Sequence, residues 1–221
     1  MKIAFVDFCE TLVDLQTADE YIEFLIREKE GSRSYKLFII KFFRNRLVNK
    51  VLKRIFSKYK SPKSIILKLV KSYSLEDFNI GAVRFNKKLI EEYLIKDVLN
   101  EILKLKEENY KIIVVSGGYD IYINNFFPDI IDNVIATKIL FKDGKCCGIF
   151  DGVDCLEDNK IIKIKDILDI NDIDYEQSYT YSDSITDMPL FSLSKNKIVI
   201  SKKESKKWAE NEKFIQKIWH P

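Results

Sequence analysis

The chain has 221 residues, 46% apolar and 32% charged, with 37 lysines and arginines against 34 aspartates and glutamates. That balance is ordinary for a compact soluble globule, and the length allows one domain with an elaborated insertion. No stretch approaches the roughly 20 apolar residues that cross a bilayer, and the apolar start at Ile3 to Val6 is too short for a signal peptide, so a cytoplasmic protein is expected.

In chain order, a strand-like run at 3–7 ends on a carboxylate, Asp7, followed at once by Cys9-Glu10-Thr11-Leu12. A long helical insertion follows. It opens with a capping-box signal from Thr17 to Glu20 and carries an apolar stripe at Ala18, Tyr21, Ile22, Leu25 and Ile26. A later helix places Phe78, Ala82, Phe85, Leu89 and Tyr93 on one face, and Val98 to Glu108 returns the chain to a buried strand at 111–115. That strand runs into Ser116-Gly117-Gly118, which reads as a strand-to-helix turn. Further strands are expected at 133–137, 179–182 and 197–200. Asp143-Gly144 is a hairpin signal, and Asp158-Asn159-Lys160 opens a helical pattern of Ile161, Ile164, Ile167 and Leu168.

Strands alternating with helices predict an α/β fold, a doubly wound Rossmann-like parallel sheet, with residues 1–14 and 95–221 forming the core and 15–94 a helical cap. Asp7, Ser116 and Asp183 fall at the C-terminal ends of their strands, where open α/β sheets bind ligands. The four cysteines, Cys9, Cys146, Cys147 and Cys155, lack metal-ligand spacing and are expected as reduced thiols.

The insertion is electrostatically lopsided. Between Gly31 and Lys71 there are 13 lysines and arginines and no acid, so the net +3 conceals a +13 segment on a −10 body. Leu37, Ile40, Leu47, Val48, Val51, Leu52, Ile55 and Phe56 recur at helical spacing among these charges, which predicts one or two basic amphipathic helices. Such a segment is a solvated face, a funnel for anionic substrates, or a dock that makes the protein peripheral to an anionic membrane surface. The aromatics Phe42, Phe43 and Tyr59 support nonspecific phosphate contact, but no recognition motif accompanies them and no specific nucleic-acid partner is expected.

Four segments together resemble the motifs of the haloacid dehalogenase (HAD) superfamily. Asp7-Phe8-Cys9-Glu10-Thr11-Leu12 is similar to its motif I, Val115-Ser116-Gly117-Gly118 to motif II, Lys160 to the motif III lysine, and Ser182-Asp183-Ser184-Ile185-Thr186-Asp187 to the paired acids of motif IV. The resemblance spans most of the chain and is nearest to subfamily IB, the phosphoserine phosphatase-like branch. It implies a HAD-like core, a phosphomonoester substrate, an aspartyl-phosphate intermediate and Mg²⁺.

By the same resemblance, Asp7 is the nucleophile, Ser116 and Gly117 bind the phosphoryl group, and Lys160 neutralises charge beside Asp7. Asp183, Asp7 and the backbone carbonyl of Cys9 hold the metal, and Asp187 orients metal-bound water or Lys160. Taken singly, each of these residues also has an ordinary structural reading as a turn, a cap or a surface charge.

Two positions depart from the family pattern. Cys9 stands where an acid/base aspartate is usual, and Gln16 stands where phosphoserine phosphatases carry a glutamate that grips the substrate ammonium. The second departure weakens selection for an amine and favours another small or lipid-linked phosphate. The first keeps two alternatives open, a phosphotransferase and a catalytically impaired HAD-fold binding protein. Dehalogenation fits least, because it does not need the acidic pair of motif IV.

Overall fold

The computed structural model describes residues 1–45, 47–48 and 62–220. Its centre is a six-stranded, all-parallel sheet in the order β3-β2-β1-β6-β7-β8, where β1 is Ile3–Val6, β2 Lys111–Tyr119, β3 Asn133–Thr137, β6 Tyr179–Ser182, β7 Asn196–Lys202 and β8 Ile215–Trp219. All four residues of β1 are buried, as a strand covered on both faces requires. Alternate side chains go to opposite faces. Ala4, Val6, Ile112 and Val114 join one apolar cluster, and Ile3, Phe5, Ile113 and Val115 join another with Ile164, Leu190 and Leu193. The strand order reverses at β1, the point in such a sheet where the loops part and leave a crevice.

The five expected strands are all present. The sixth, β8, was not foreseen, because Ile215 to Trp219 is an edge strand with mixed exposure and no clean alternation. β2 also runs on through Ser116, Gly117 and Gly118 to Tyr119, where a turn was expected, with a register irregularity against β3 that absorbs the change of direction.

Between β1 and the core helix Lys96–Glu107 lie the helices Thr17–Glu30, Tyr35–Arg44, Pro62–Ile66 and Leu75–Lys88, with tighter and wider turns at Leu67–Val70 and Leu89–Tyr93. The chain leaves and re-enters the core side by side. Asp14 N–H donates to the Tyr93 carbonyl at 2.8 Å and Ile95 N–H to the Leu12 carbonyl at 3.0 Å. The predicted stripe of the first helix is largely buried, with Tyr21, Ile22, Leu25 and Ile26 inside and Ala18 half-buried.

The capping box expected at Thr17 does not form. Gln16 is the N-cap and makes no side-chain cap bond, while the Thr17 hydroxyl is drawn inward to Tyr122 and Cys9. A true capping box sits at Ser74, whose side chain accepts from Asp77 N–H at 3.1 Å while Asp77 accepts from Ser74 N–H at 2.9 Å. Of the basic segment, Tyr35–Arg44 is helical and buries Ile40; Val51, Leu52, Ile55 and Phe56 lie outside the described residues. The helix at Asp158 ends at Lys165, so Ile167, expected on its apolar face, is half exposed.

The predicted hairpin is β4 Ile139–Lys142 and β5 Lys145–Phe150, turned by Asp143 and Gly144, both with positive φ as a tight two-residue hairpin demands. It is bonded to the insertion: Ser72 N–H donates to the Cys146 carbonyl at 2.8 Å and Cys146 N–H to the Tyr73 carbonyl at 2.9 Å. Cys146 is buried in this joint, Cys147 is half-buried, and all four cysteines are free thiols.

Glu30, at the end of the first helix, closes a polar cluster within the insertion. It accepts from the Tyr73 hydroxyl at 2.5 Å, the Ser34 hydroxyl at 2.6 Å, and the Lys36 ammonium. Burial opposes ionisation, but these three donors outweigh it and hold the Glu30 carboxyl at about 2, below its ordinary 4.5. The folded state therefore binds fewer protons than the unfolded state between these values. The stabilisation is complete above pH 4.5 and is lost as pH falls toward 2. Urea unfolding of Glu30→Gln should show a flatter decline of stability across that acid window than the wild type.

Candidate functional site

At the C-terminal edge of the sheet, Asp7 follows β1, and its own N–H donates to the Tyr181 carbonyl of β6 at 2.9 Å. This bond brings the end of β1 against the loop that follows β6, where Asp183 and Asp187 sit. Lys160, from the first turn of the Asp158–Lys165 helix, reaches between them. Its ammonium lies 2.8 Å from Asp7 Oδ1 and 2.7 Å from Asp187 Oδ1, and all three side chains are buried. Asp187 is held on its other oxygen by the Ser182 hydroxyl at 2.5 Å, and Ser182 in turn accepts from Ser184 N–H at 3.1 Å.

Electrostatics follow from burial. Loss of solvent pushes Asp7 up to about 7, against the pull of Lys160 and with further help from Asp187 and Asp183. Lys160 loses solvent too, but the two carboxylates outweigh that loss and raise it above its usual range. Asp183 is raised chiefly by burial, although the Lys206 ammonium bonds both its carboxylate, at 3.1 Å, and its backbone carbonyl. The site thus holds more negative charge than its two lysines balance.

Asp7, Cys9, Gln16, Gly117, Lys160, Asp183 and Asp187 all line one cavity of about 240 Å³. Ser116 does not line it. It is fully buried one layer behind, accepts from Gly118 N–H at 3.0 Å, and lies 3.9 Å from Cys9 Sγ. Cys9 Sγ is 3.0 Å from the Thr17 hydroxyl, which is 2.6 Å from the Tyr122 hydroxyl, and that oxygen accepts from Tyr119 N–H at 3.1 Å. Burial first, then the neighbouring Asp7 carboxylate, push the Cys9 thiol up to about 11, so it is neutral near pH 7. Gln16 is exposed at the rim and donates to Glu10 at 2.6 Å.

Sequence reasoning missed four contributors. Lys206 follows β7, and no pattern marked it. Asp19, also on the cavity wall, was absorbed into the presumed helix start. Lys63 is a buried cation from the insertion that lines the cavity and bonds the Gly117 carbonyl. The fourth is the Thr17–Tyr122 hydroxyl pair, whose signal was present but assigned to capping.

A family model for haloacid dehalogenase-like hydrolases matches residues 4–192. The chain belongs to the haloacid dehalogenase-like hydrolases. Over 103 residues it is 31% identical to a phosphoserine phosphatase of Methanocaldococcus jannaschii. That match covers 46% of this chain and 49% of the relative, so the chain spans about half the length of the curated protein it matches.

Among solved structures, a Bordetella pertussis Tohama I protein of unknown function superposes with a TM-score of 0.79 at 18% identity, covering 97% of each chain. A substrate-bound phosphoserine phosphatase superposes at 0.63 and 22% identity, covering 98% of this chain and 92% of that one. At these identities the structural likeness establishes the shared fold.

The donor set also fits the hard cation that HAD resemblance implies. Two carboxylates, Asp7 and Asp183, face one cavity with unbalanced negative charge. Among the described residues no three His, Cys, Asp or Glu side chains converge on a metal position. A pair of carboxylates completed by carbonyl and water oxygens suits Mg²⁺ rather than zinc.

Gly118 makes the close approach of these elements feasible. A Cβ there would run into the Tyr122 hydroxyl, come within 2.8 Å of Ile123 Cδ1 and within 3.2 Å of the Thr17 hydroxyl. Gly118→Ala should therefore lower stability by about 1–3 kcal/mol in urea unfolding, and should break the chain of hydroxyls that ends on Cys9.

Proposed function

We propose that this HAD-family hydrolase is a Mg²⁺-dependent phosphomonoester phosphatase working through phosphorylated Asp7. The observation that carries the proposal is the buried Asp7–Lys160–Asp187 triad, which lines one small cavity together with Asp183. In-line phosphoryl transfer needs positioned oxygen nucleophiles and concentrated positive charge more than elaborate covalent chemistry. Asp7 and Asp183, with the Cys9 carbonyl, would hold a Mg²⁺ ion, which when bound offsets the charge of the phosphoryl oxygens.

In the first step a carboxylate oxygen of Asp7 attacks phosphorus, the ester P–O bond breaks, and the leaving oxygen takes a proton. In the second, water attacks the aspartyl phosphate, releases inorganic phosphate and restores the Asp7 carboxylate. Lys160 draws Asp7 toward its ionised form, against burial, and orients it. Gly117 lines the wall where the phosphoryl oxygens sit, and Ser116 fixes the backbone there through Gly118. Gln16, at the rim, meets the leaving group. The +13 charge of residues 31–71 would raise the local concentration of anionic substrate, whether free or at an anionic membrane surface; no described helix is long and apolar enough to cross a membrane.

Asp7→Asn should lower steady-state phosphatase activity by at least about 10³-fold, roughly 4 kcal/mol of transition-state stabilisation, and EDTA should abolish it reversibly. Full activity in Asp7→Asn, measured with an aryl phosphate, would refute the proposal.

Cys9 separates the two steps. A neutral thiol can protonate a leaving alkoxide, but with its value at about 11 the thiolate left behind recaptures a proton near pH 7, and the neutral thiol then has no charge with which to draw a proton from the attacking water. Phosphorylated Asp7 should accumulate, a state from which an acceptor other than water can also take the phosphoryl group. Rapid-quench kinetics should give a burst in the wild type, and Cys9→Asp should shrink the burst and raise turnover. A less active Cys9→Asp enzyme with no wild-type burst would show that the thiol is matched to its substrate.

A further inference from the structure

The Tyr35–Arg44 helix has one face secured to the insertion and one face bare. Ile40 is fully buried in the apolar cluster that continues into the sheet, and Leu37 and Phe43 pack against the same cluster. Two of its cations tie it to the first helix. The Lys36 ammonium pairs with Glu30, and the Arg44 guanidinium lies 2.7 Å from Glu20 and 2.6 Å from Glu23. The acids nearest the helix are thus offset by cations on its inner side and its flank.

The opposite face holds aromatic rings in water. Tyr35 is 71% exposed, Phe38 74% and Phe42 47%, and Leu47, just past the helix, is 74% exposed. At positions i, i+3 and i+7, the three rings fall within about 60° of one another around the axis, and Ile40 lies opposite them. Single exposed apolar side chains are ordinary, but a contiguous aromatic stripe marks a contact surface. Arg33, two residues before the stripe, and Lys41, between its second and third rings, are exposed and pair with no acid among the described residues. From 31 to 71 the sequence has 13 lysines and arginines and no acid at all.

The charge selects the partner. A second copy docked on this face would set one basic segment against its own image, which like charge opposes. A folded protein would need a groove shaped to the rings as well as an excess of acid. An anionic bilayer supplies apolar depth and negative charge to a convex helix without any shape match. Aromatic rings settle at headgroup level, and lysines and arginines beside them meet the acidic headgroups. The other exposed apolar stripe, Ile80, Val83 and Ile90, differs on both counts. It is aliphatic, and Glu91 shares its surface with Val83 and Ile90.

We propose that the Tyr35–Arg44 helix docks on an anionic membrane surface, with Tyr35, Phe38 and Phe42 in the headgroup layer and Arg33 and Lys41 against acidic lipid headgroups. The helix lies in the plane of the surface rather than across it. This assignment is independent of the phosphatase reading, because none of these residues lines the cavity that holds Asp7.

The test is co-sedimentation of the full-length protein with vesicles of phosphatidylcholine alone, or with about 30% phosphatidylglycerol. At low salt the wild type should bind the anionic vesicles at least about tenfold more strongly than the neutral ones, and added salt should weaken that binding. Phe38→Ser combined with Phe42→Ser leaves the charge unchanged and should lower anionic binding at least about tenfold, with far-UV circular dichroism and Tm kept. Phe38→Trp should retain binding, and its added emission should move to shorter wavelength with anionic vesicles only.

Absence of binding at low salt overturns the inference. So does equal binding of the wild type and the double serine variant, which would leave charge acting without the rings. A dimer in sedimentation velocity that the double variant dissociates gives the face to a second copy. Ring-dependent retention of a mixed-sequence oligonucleotide without vesicle binding gives it to nucleic acid. Either result overturns the membrane assignment. If the double serine variant misfolds, Phe38→Trp decides: a shift on anionic vesicles upholds the inference and no shift overturns it.

Discussion

The structure turns on a single buried ammonium. Lys160 is surrounded by protein and held by Asp7 and Asp187, so the three ends it joins, residues 7, 160 and 187, must arrive together or leave an uncompensated charge inside. A buried ion pair of this kind contributes little net stability against an apolar replacement, but removing one member costs about 3–5 kcal/mol because the survivor stays desolvated. Its value is geometric. It fixes where β1 ends relative to the loop after β6 and gives the Asp7 carboxylate one orientation.

A second chain of contacts joins the insertion to that centre. Cys9 from the first loop, Thr17 from the first inserted helix and Tyr122 from the turn after β2 share hydroxyl and thiol hydrogen bonds, and Gly118 leaves room for them. The insertion packs in the same apolar cluster as one face of the sheet. Tyr21, Phe78 and Phe85 continue directly into Phe8, Tyr122 and Phe126. The cavity wall is therefore set by the same packing that surrounds the end of β1.

Much of this was legible in the sequence because the signals are local. A buried apolar run ending on an acid, a hydroxyl or a glycine pair marks a strand end, and the four motifs announce Asp7, Ser116, Lys160 and Asp183 without reference to any contact. What stayed hidden depends on partners distant in sequence. Lys63 looks like any other cation in a basic stretch until the Gly117 carbonyl and Thr137 surround it, and Lys206 has no motif at all. Thr17 carried a real polar signal but bonded residues 8 and 105 positions away rather than its own helix, whereas Ser74, with the same chemistry, found a local partner and became the cap. Ser116 was expected on the cavity surface and instead supports it from behind, a distinction of one layer that spacing alone does not resolve.

The side-by-side crossing of Leu12 to Asp14 with Tyr93 to Ile95 makes the insertion a loop in the topological sense, entering and leaving through one narrow gate. Such gates are where chains tolerate replacement of everything they enclose. Here that freedom is restrained by the hairpin, because the strand carrying Cys146 is stitched to residues 72–75 and lies beyond the gate. Exchange of the inserted helices would strip Lys145 and Cys146 of a bonded edge, so the insertion and the hairpin depend on each other although 44 residues of chain, Ile95 to Lys138, separate them.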